Sequence, residues 1–177
     1  DARDLRVKII GEGGNLGFTQ QGRIEYSKVG GHCNTDAVDN SGGVNTSDLE
    51  VNLKILLREP VSRGELTFDQ RNTLLFSCAD DVCESVISRN RAQSMILSLE
   101  VHRSRKNLDS YRSLISTLEH SGQLSREGEF LPDDETISRR AQVKAGLTRP
   151  ELAILISYVR IALVNAIIDS SLPEEPF

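Results

Sequence analysis

Apolar positions in this chain follow two regimes. Up to about residue 57 they come in short runs set between glycine-rich turns, and beyond residue 66 they recur at three- and four-residue spacing. Leu5, Val7, Ile9 and Ile10 are a near-continuous apolar set, the pattern of a strand buried on both faces. A loop with four glycines, Gly11 to Gly17, follows. Thr19 to Val29 reads as a helix with Thr19 as N-cap and Gly30-Gly31 as its stop, although a strand over 23–27 is the competing reading. Cys33 to Val38 is a short strand candidate. The turn Asn40-Ser41-Gly42-Gly43 then leads into a helix from about Thr46 to Leu57. Leu49, Leu53 and Leu56 form its stripe, Val51 and Ile55 flank it, and Ser47 with Glu50 fits a capping box.

Residues 58–66 read as a linker, broken by Pro60 and Gly64. No glycine occurs between Gly64 and Gly122, and the pattern turns helical. Thr67-Phe68-Asp69-Gln70 is a capping box that opens a helix through Leu75, Val82 and Val86, with a bend expected at Ser88–Arg91. Another helix carries Leu108, Tyr111, Leu114, Ile115 and Leu118 and stops near Gly122. Leu131-Pro132-Asp133-Asp134 starts a short acidic helix to about Gln142. Thr148-Arg149-Pro150-Glu151 is the clearest start signal, opening a helix to about Asp169 that is expected to centre a second core. The fold class expected from this pattern is α/β: strand and turn units up to residue 58, then a mostly α-helical region over 67–177.

Composition narrows the class. The chain has 177 residues, 38% of them hydrophobic and 27% charged, which fits a soluble globular protein. A net charge of −5 argues against a nucleic-acid partner, and the basic clusters Arg103-Ser104-Arg105-Lys106 and Arg139-Arg140 read as solvated helix faces. Three cysteines, Cys33, Cys78 and Cys83, lack metal-ligand spacing and read as free thiols in a reducing, cytoplasmic setting. No signal peptide is evident. The stretch Leu152 to Ile168 reads as a core helix rather than a membrane span, because Ser157, Tyr158, Arg160 and Asn165 interrupt it. The missing start methionine suggests a piece of a longer protein.

The candidate chemistry sits in the two turns, Gly11-Glu12-Gly13-Gly14-Asn15 and Asp39-Asn40-Ser41-Gly42-Gly43-Val44. Turns rich in Gly and Asn let the backbone come close to a ligand, and α/β folds use such turns to aim N–H groups at a cofactor. Neither turn is Gly-x-Gly-x-x-Gly or a phosphate-binding P-loop. Asp36 and Asp39 on a strand would face opposite ways, the three histidines are scattered, and no nucleophile elbow occurs.

At these turns the sequence resembles the glutamate dehydrogenase family, and more closely its large NAD-specific bacterial members. Glu12-Gly13-Gly14-Asn15 resembles the family's Glu-Gly-Ala-Asn turn, and Asn40-Ser41-Gly42-Gly43-Val44 its Asn-Ala-Gly-Gly-Val turn. Asp36 matches the Asp before the second turn, and Ser47 and Glu50 match a following Ser-x-x-Glu. The likeness covers Val7 to Leu57 nearly continuously, including Ile10–Gly17 and Asn34–Asn40, and resumes at Gln70-Arg71-Asn72, Phe130-Leu131-Pro132 and Gly146–Ala153.

The resemblance implies that residues 1–58 are the C-terminal part of a Rossmann-like NAD-binding domain and that 67–177 are a helical C-terminal domain. It implies NAD as cofactor, with Gly13, Asn15 and Asn40 on the nicotinamide side, and Ser47 on a carboxylate of glutamate. The partners it implies are L-glutamate and 2-oxoglutarate, with neither nucleic acid nor membrane, in a homo-oligomeric full-length enzyme. The family's catalytic Lys and Asp and its pyrophosphate loop lie upstream of the matched residues. The chain by itself is therefore expected to be inactive. The alternative reading is a non-catalytic helical interaction or regulatory module, in which the turns pack against helices instead of facing a ligand.

Overall fold

In a computed structural model, which describes residues 1–174, regular structure is helical throughout. The α-helices are α1 (Gln20–Lys28), α2 (Asp36–Asp39), α3 (Ser41–Leu56), α4 (Arg58–Ser62), α5 (Phe68–Ser77), α6 (Ala79–Lys106), α7 (Leu108–His120), α8 (Asp134–Gln142) and α9 (Arg149–Ile168). The described residues contain no strand. Their β pairing is one isolated parallel bridge, Ile9 to His32.

This overturns the α/β expectation and its Rossmann-like segment: the described chain is all-α. The physical reason lies in pairing. A strand needs a neighbour along its length, and Leu5 to Ile10 finds only the bridge, closed by Ile10 N–H to His32 O and His32 N–H to Lys8 O, both 2.9 Å. Three of its four apolar residues stay in solvent, Val7 at 56% and Ile9 at 76% exposure, and Ile10 is half-buried. The second strand candidate, Cys33 to Val38, instead runs into α2.

The residues group into two compact units, one of Asp1–Asp36 with the residues from Ile96 on, the other of Ala37–Met95. In the first unit α9 packs on α1, and α7 on α8. Its core holds Ile24, Tyr26, Leu97, Ile115, Ile137 and Leu152. Tyr26 also donates its hydroxyl to Val7 O at 2.6 Å, tying the extended N-terminal stretch to α1. The second unit buries little, with Val38 and Ser41 its buried residues among those described. Leu49 and Leu53 of the expected α3 stripe are half-buried, whereas Leu56 is exposed and Leu57 takes its place; the flanking Val51 and Ile55 are exposed.

Local signals placed most helices well. Thr19 caps α1 through Gly22 N, and Asp133 caps α8 through Thr136 N. Thr67 and Thr148 both close full capping boxes, with Gln70 and Glu151. The bend expected at Ser88–Arg91 is absent, because α6 runs through it, and the break falls at Cys78 instead. α9 is buried only over its first turns, at Pro150, Glu151, Leu152, Ala153 and Leu155. Ile161, Leu163, Val164 and Ile168 beyond are exposed, so only the N-terminal part of this helix is core. By length and composition α9 also passes as a membrane-crossing helix, a test that core helices pass as well.

One core contact predicts a pH response. Tyr111 is buried and donates its hydroxyl to Glu100 on α6; burial first, and that hydrogen bond second, push its phenol upward from the ordinary value of 10.0. A raised folded-state pKa means stability is complete below the unfolded value and is lost as pH climbs past it. Alkaline titration of the full-length protein should therefore loosen α6 and α7 above about pH 10. Tyr111→Phe should flatten that loss when hydrogen exchange of these helices is followed against pH. An unchanged alkaline profile would remove Tyr111 from the explanation.

Candidate functional site

The first glycine turn is built around a buried arginine. Arg23 on α1 is 5% exposed and Glu12 6%. Arg23 Nε donates to Glu12 Oε2 at 2.6 Å and Nη2 to Glu12 Oε1 at 2.8 Å, the bidentate geometry that makes guanidinium–carboxylate pairs strong. Nη2 also lies 3.2 Å from Asp36 Oδ1. The Glu12 hydrogen bond, working against burial, raises the arginine above its usual range, so the guanidinium stays charged.

The two carboxylates in turn hold the loop. Glu12 Oε1 accepts Phe18 N–H at 2.9 Å, and Asp36 Oδ2 accepts Leu16 N–H at 2.8 Å. Leu16 itself sits at φ 60, a left-handed conformation that costs a non-glycine residue roughly 1–2 kcal/mol and persists only where surroundings impose it. Between these anchors Gly13, Gly14 and Asn15 are exposed. A Cβ built on Gly13 or Gly14 would meet nothing within 4 Å, and neither residue has left-handed φ. The fold thus has no steric need for glycine at 13, and the backbone there is open to a ligand.

The second motif is not a turn. Asn40 is the N-cap residue of α3, and Ser41, Gly42 and Gly43 form that helix's first turn. The expected start at Thr46 is corrected accordingly. Glycine is a poor helix former, but a first turn needs no side-chain packing, and Ser41 supplies the anchor. The buried Ser41 hydroxyl meets Val38 O at 2.7 Å and the Asn90 side chain, whose amide donates to Val86 O at 2.7 Å. Ser47 lies inside α3, exposed, with its hydroxyl on Val44 O at 3.0 Å. It caps nothing, so the expected Ser47–Glu50 capping box is corrected too.

Gly13 and Asn15 belong to the first unit, Asn40 and Ser47 to the second. Clefts of about 930, 570 and 350 Å³ are lined by other residues. Sequence reasoning missed Arg23, because an arginine eleven residues from its glutamate carries no periodic or motif signal. It also misread Arg140 as solvated: Arg140 is half-buried, with Nη1 and Nη2 each 2.8 Å from a Glu151 carboxylate oxygen.

The site thus has two parts, a glycine loop held by Glu12, Arg23 and Asp36, and a serine-anchored helix that opens with Asn-Ser-Gly-Gly. Residues 1–100 match the family model described as bacterial NAD-glutamate dehydrogenase, catalytic domain, and residues 144–177 match glutamate dehydrogenase, C-terminal. The chain belongs to the bacterial NAD-glutamate dehydrogenase family. It is 49% identical over 176 residues to the NAD-specific glutamate dehydrogenase of Halomonas elongata, 46% over 177 residues to that of Pseudomonas aeruginosa, and 40% over 175 residues to that of Mycobacterium tuberculosis. These alignments cover 99%, 100% and 99% of the chain but 11% of each relative, so the chain spans about a tenth of the length of those proteins.

Proposed function

We propose that this chain is a segment of an enzyme that oxidises L-glutamate to 2-oxoglutarate and ammonia with NAD, and that it is inactive by itself. When bound, NAD accepts the hydride that leaves the substrate carbon. Gly13, Asn15 and Asn40 are assigned to the nicotinamide side of the cofactor, and Ser47 to a carboxylate of glutamate. The observation that carries this reading is the matched loop itself, which presents an unneeded glycine to solvent while Glu12, Arg23 and Asp36 hold it still. Preorganised backbone of this kind orients a bound group without an ordering cost at the moment of reaction. Ser47 carries no capping duty in the fold, which supports its assignment to substrate. The enzyme would act in the cytoplasm as a homo-oligomer, and the free thiols at Cys33, Cys78 and Cys83 suit a reducing compartment.

Steady-state kinetics of the full-length protein test the assignment. Ser47→Ala should raise KM for glutamate on the order of tenfold, the worth of a hydrogen bond to a charged group, and leave KM for NAD nearly unchanged. Asn40→Ala and Gly13→Ala should weaken NAD instead, Gly13→Ala without loss of folding because its methyl group meets open space. Wild-type kinetics in all three would sink the site. Glutamate-dependent NADH formation by the 177-residue chain alone would overturn its inactivity.

A further inference from the structure

A cleft of about 930 Å³ lies wholly within the first unit and away from the glycine loop. Its walls are the end of α1 with the residues to Cys33, the last turns of α6, and the stretch from Arg140 to Arg149. Lys28, His32, Arg105, Arg140, Lys144 and Arg149 line it, and no Asp or Glu does. That is unexpected in a chain with 26 acids against 21 lysines and arginines. Arg140 is neutralised by Glu151, and Arg149 is engaged with Asn34 and with Ser98 Oγ, the latter at 2.8 Å. Among the described residues, Lys28, Arg105 and Lys144 make no ion pair, and all three are exposed to the cleft's solvent.

The walls are set by close packing. A Cβ at Gly31 would fall 2.3 Å from the Tyr26 ring, and one at Gly146 would fall 2.3 Å from Ser104 Oγ and 2.8 Å from Arg105 N. Ser104 is fully buried and accepts Leu147 N–H at 3.1 Å, which holds the Gly146 stretch against α6 beside Arg105. Three cations without an ion pair among the described residues thus face one cleft, of the size that takes small-molecule ligands, beside two glycines where a side chain would clash. Their mutual repulsion is relieved by a bound anion of matching charge.

We propose that this cleft binds a small polyanion, a metabolite carrying two or more phosphate or carboxylate groups, at a site separate from the glycine loop. Inorganic tripolyphosphate is a suitable probe. Calorimetric titration into the full-length protein, with NAD present at saturation to fill its own site, should show binding that weakens as salt rises. Arg105→Ala and Lys144→Ala should each weaken it about fivefold, and the triple variant with Lys28→Ala on the order of a hundredfold. Arg105→Lys should retain most of the affinity, and Arg160→Ala, an exposed arginine outside the cleft, should leave it unchanged. No binding of tripolyphosphate, or binding untouched by the triple variant, would overturn the site. Citrate in place of tripolyphosphate separates carboxylate from phosphate ligands: whichever binds more tightly in the wild type and loses more in the triple variant names the source. KM for glutamate and NAD, unchanged in the cleft variants, would keep this result distinct from failure of the glycine-loop assignment.

Discussion

Arg23→Ala is expected to open the glycine loop and α1 together, with hydrogen-exchange protection over residues 11–36 falling by a factor on the order of 10²–10³ in the full-length protein. The estimate follows from removing one partner of a buried ion pair, which costs about 3–5 kcal/mol because the Glu12 carboxylate stays buried after losing its cation. Glu12 is 6% exposed and would lose both guanidinium donors, while Phe18 N–H still reaches it. Asp36 would lose its cation while still holding Leu16 N–H. The double variant Glu12→Gln with Arg23→Met should recover part of the loss, since it removes the orphaned charge and fills the space with an apolar chain. A fall below tenfold in Arg23→Ala would mean that the loop is held by something other than this cluster. The same variant should raise KM for NAD more than KM for glutamate, because the loop positions only the cofactor side.

Glu151→Ala should produce the second large effect, at the start of α9. Glu151 is 1% exposed and takes both Arg140 donors, and Thr148 N–H and hydroxyl reach it at 2.6 and 2.8 Å. Truncation removes the pair and half of the capping box at once, for about 3–5 kcal/mol from the stranded Arg140 and about 0.5–2 kcal/mol from the cap. Glu151→Gln keeps the acceptor for Thr148 but removes the charge, so it should fall between wild type and Ala. Exchange over residues 137–158 of the full-length protein reads both. If Gln and Ala behave alike, the charge pair carries the loss; if Gln matches wild type, the cap does and the ion-pair argument fails.

These two clusters also mark where reading the sequence stopped. The box at Thr148 was legible, because its two partners are three residues apart and the geometry of a helix start is local. The salt bridge that shares the same glutamate was not. Arg140 sits eleven residues away across the end of α8 and a connecting stretch, and beside Arg139 it looked like a solvated face. The loop shows the same split. Gly13 and Asn15 stood out as a ligand-facing turn and as part of a family motif, but the residue that organises them, Arg23, was one polar position in a helix of thin apolar content.

By itself the sequence determined what depends on neighbours a few residues apart: the capped starts at Thr19, Thr67, Asp133 and Thr148, and the stop of α7 before Gly122. It also carried the family motifs, which are contiguous. Tertiary structure decided whatever needs a distant partner. Leu5 to Ile10 has a strand's pattern but finds one bridge at His32, so it stays extended and exposed. Asn40-Ser41-Gly42-Gly43 has a turn's composition but becomes the first turn of α3, with Ser41 anchored on Asn90 forty-nine residues away. α9 is largely apolar along its length and is buried only over its first turns, at Pro150 to Leu155. Helix caps are satisfied within one turn of chain, whereas strand pairing, buried charge and burial itself are satisfied only by residues that folding brings from elsewhere.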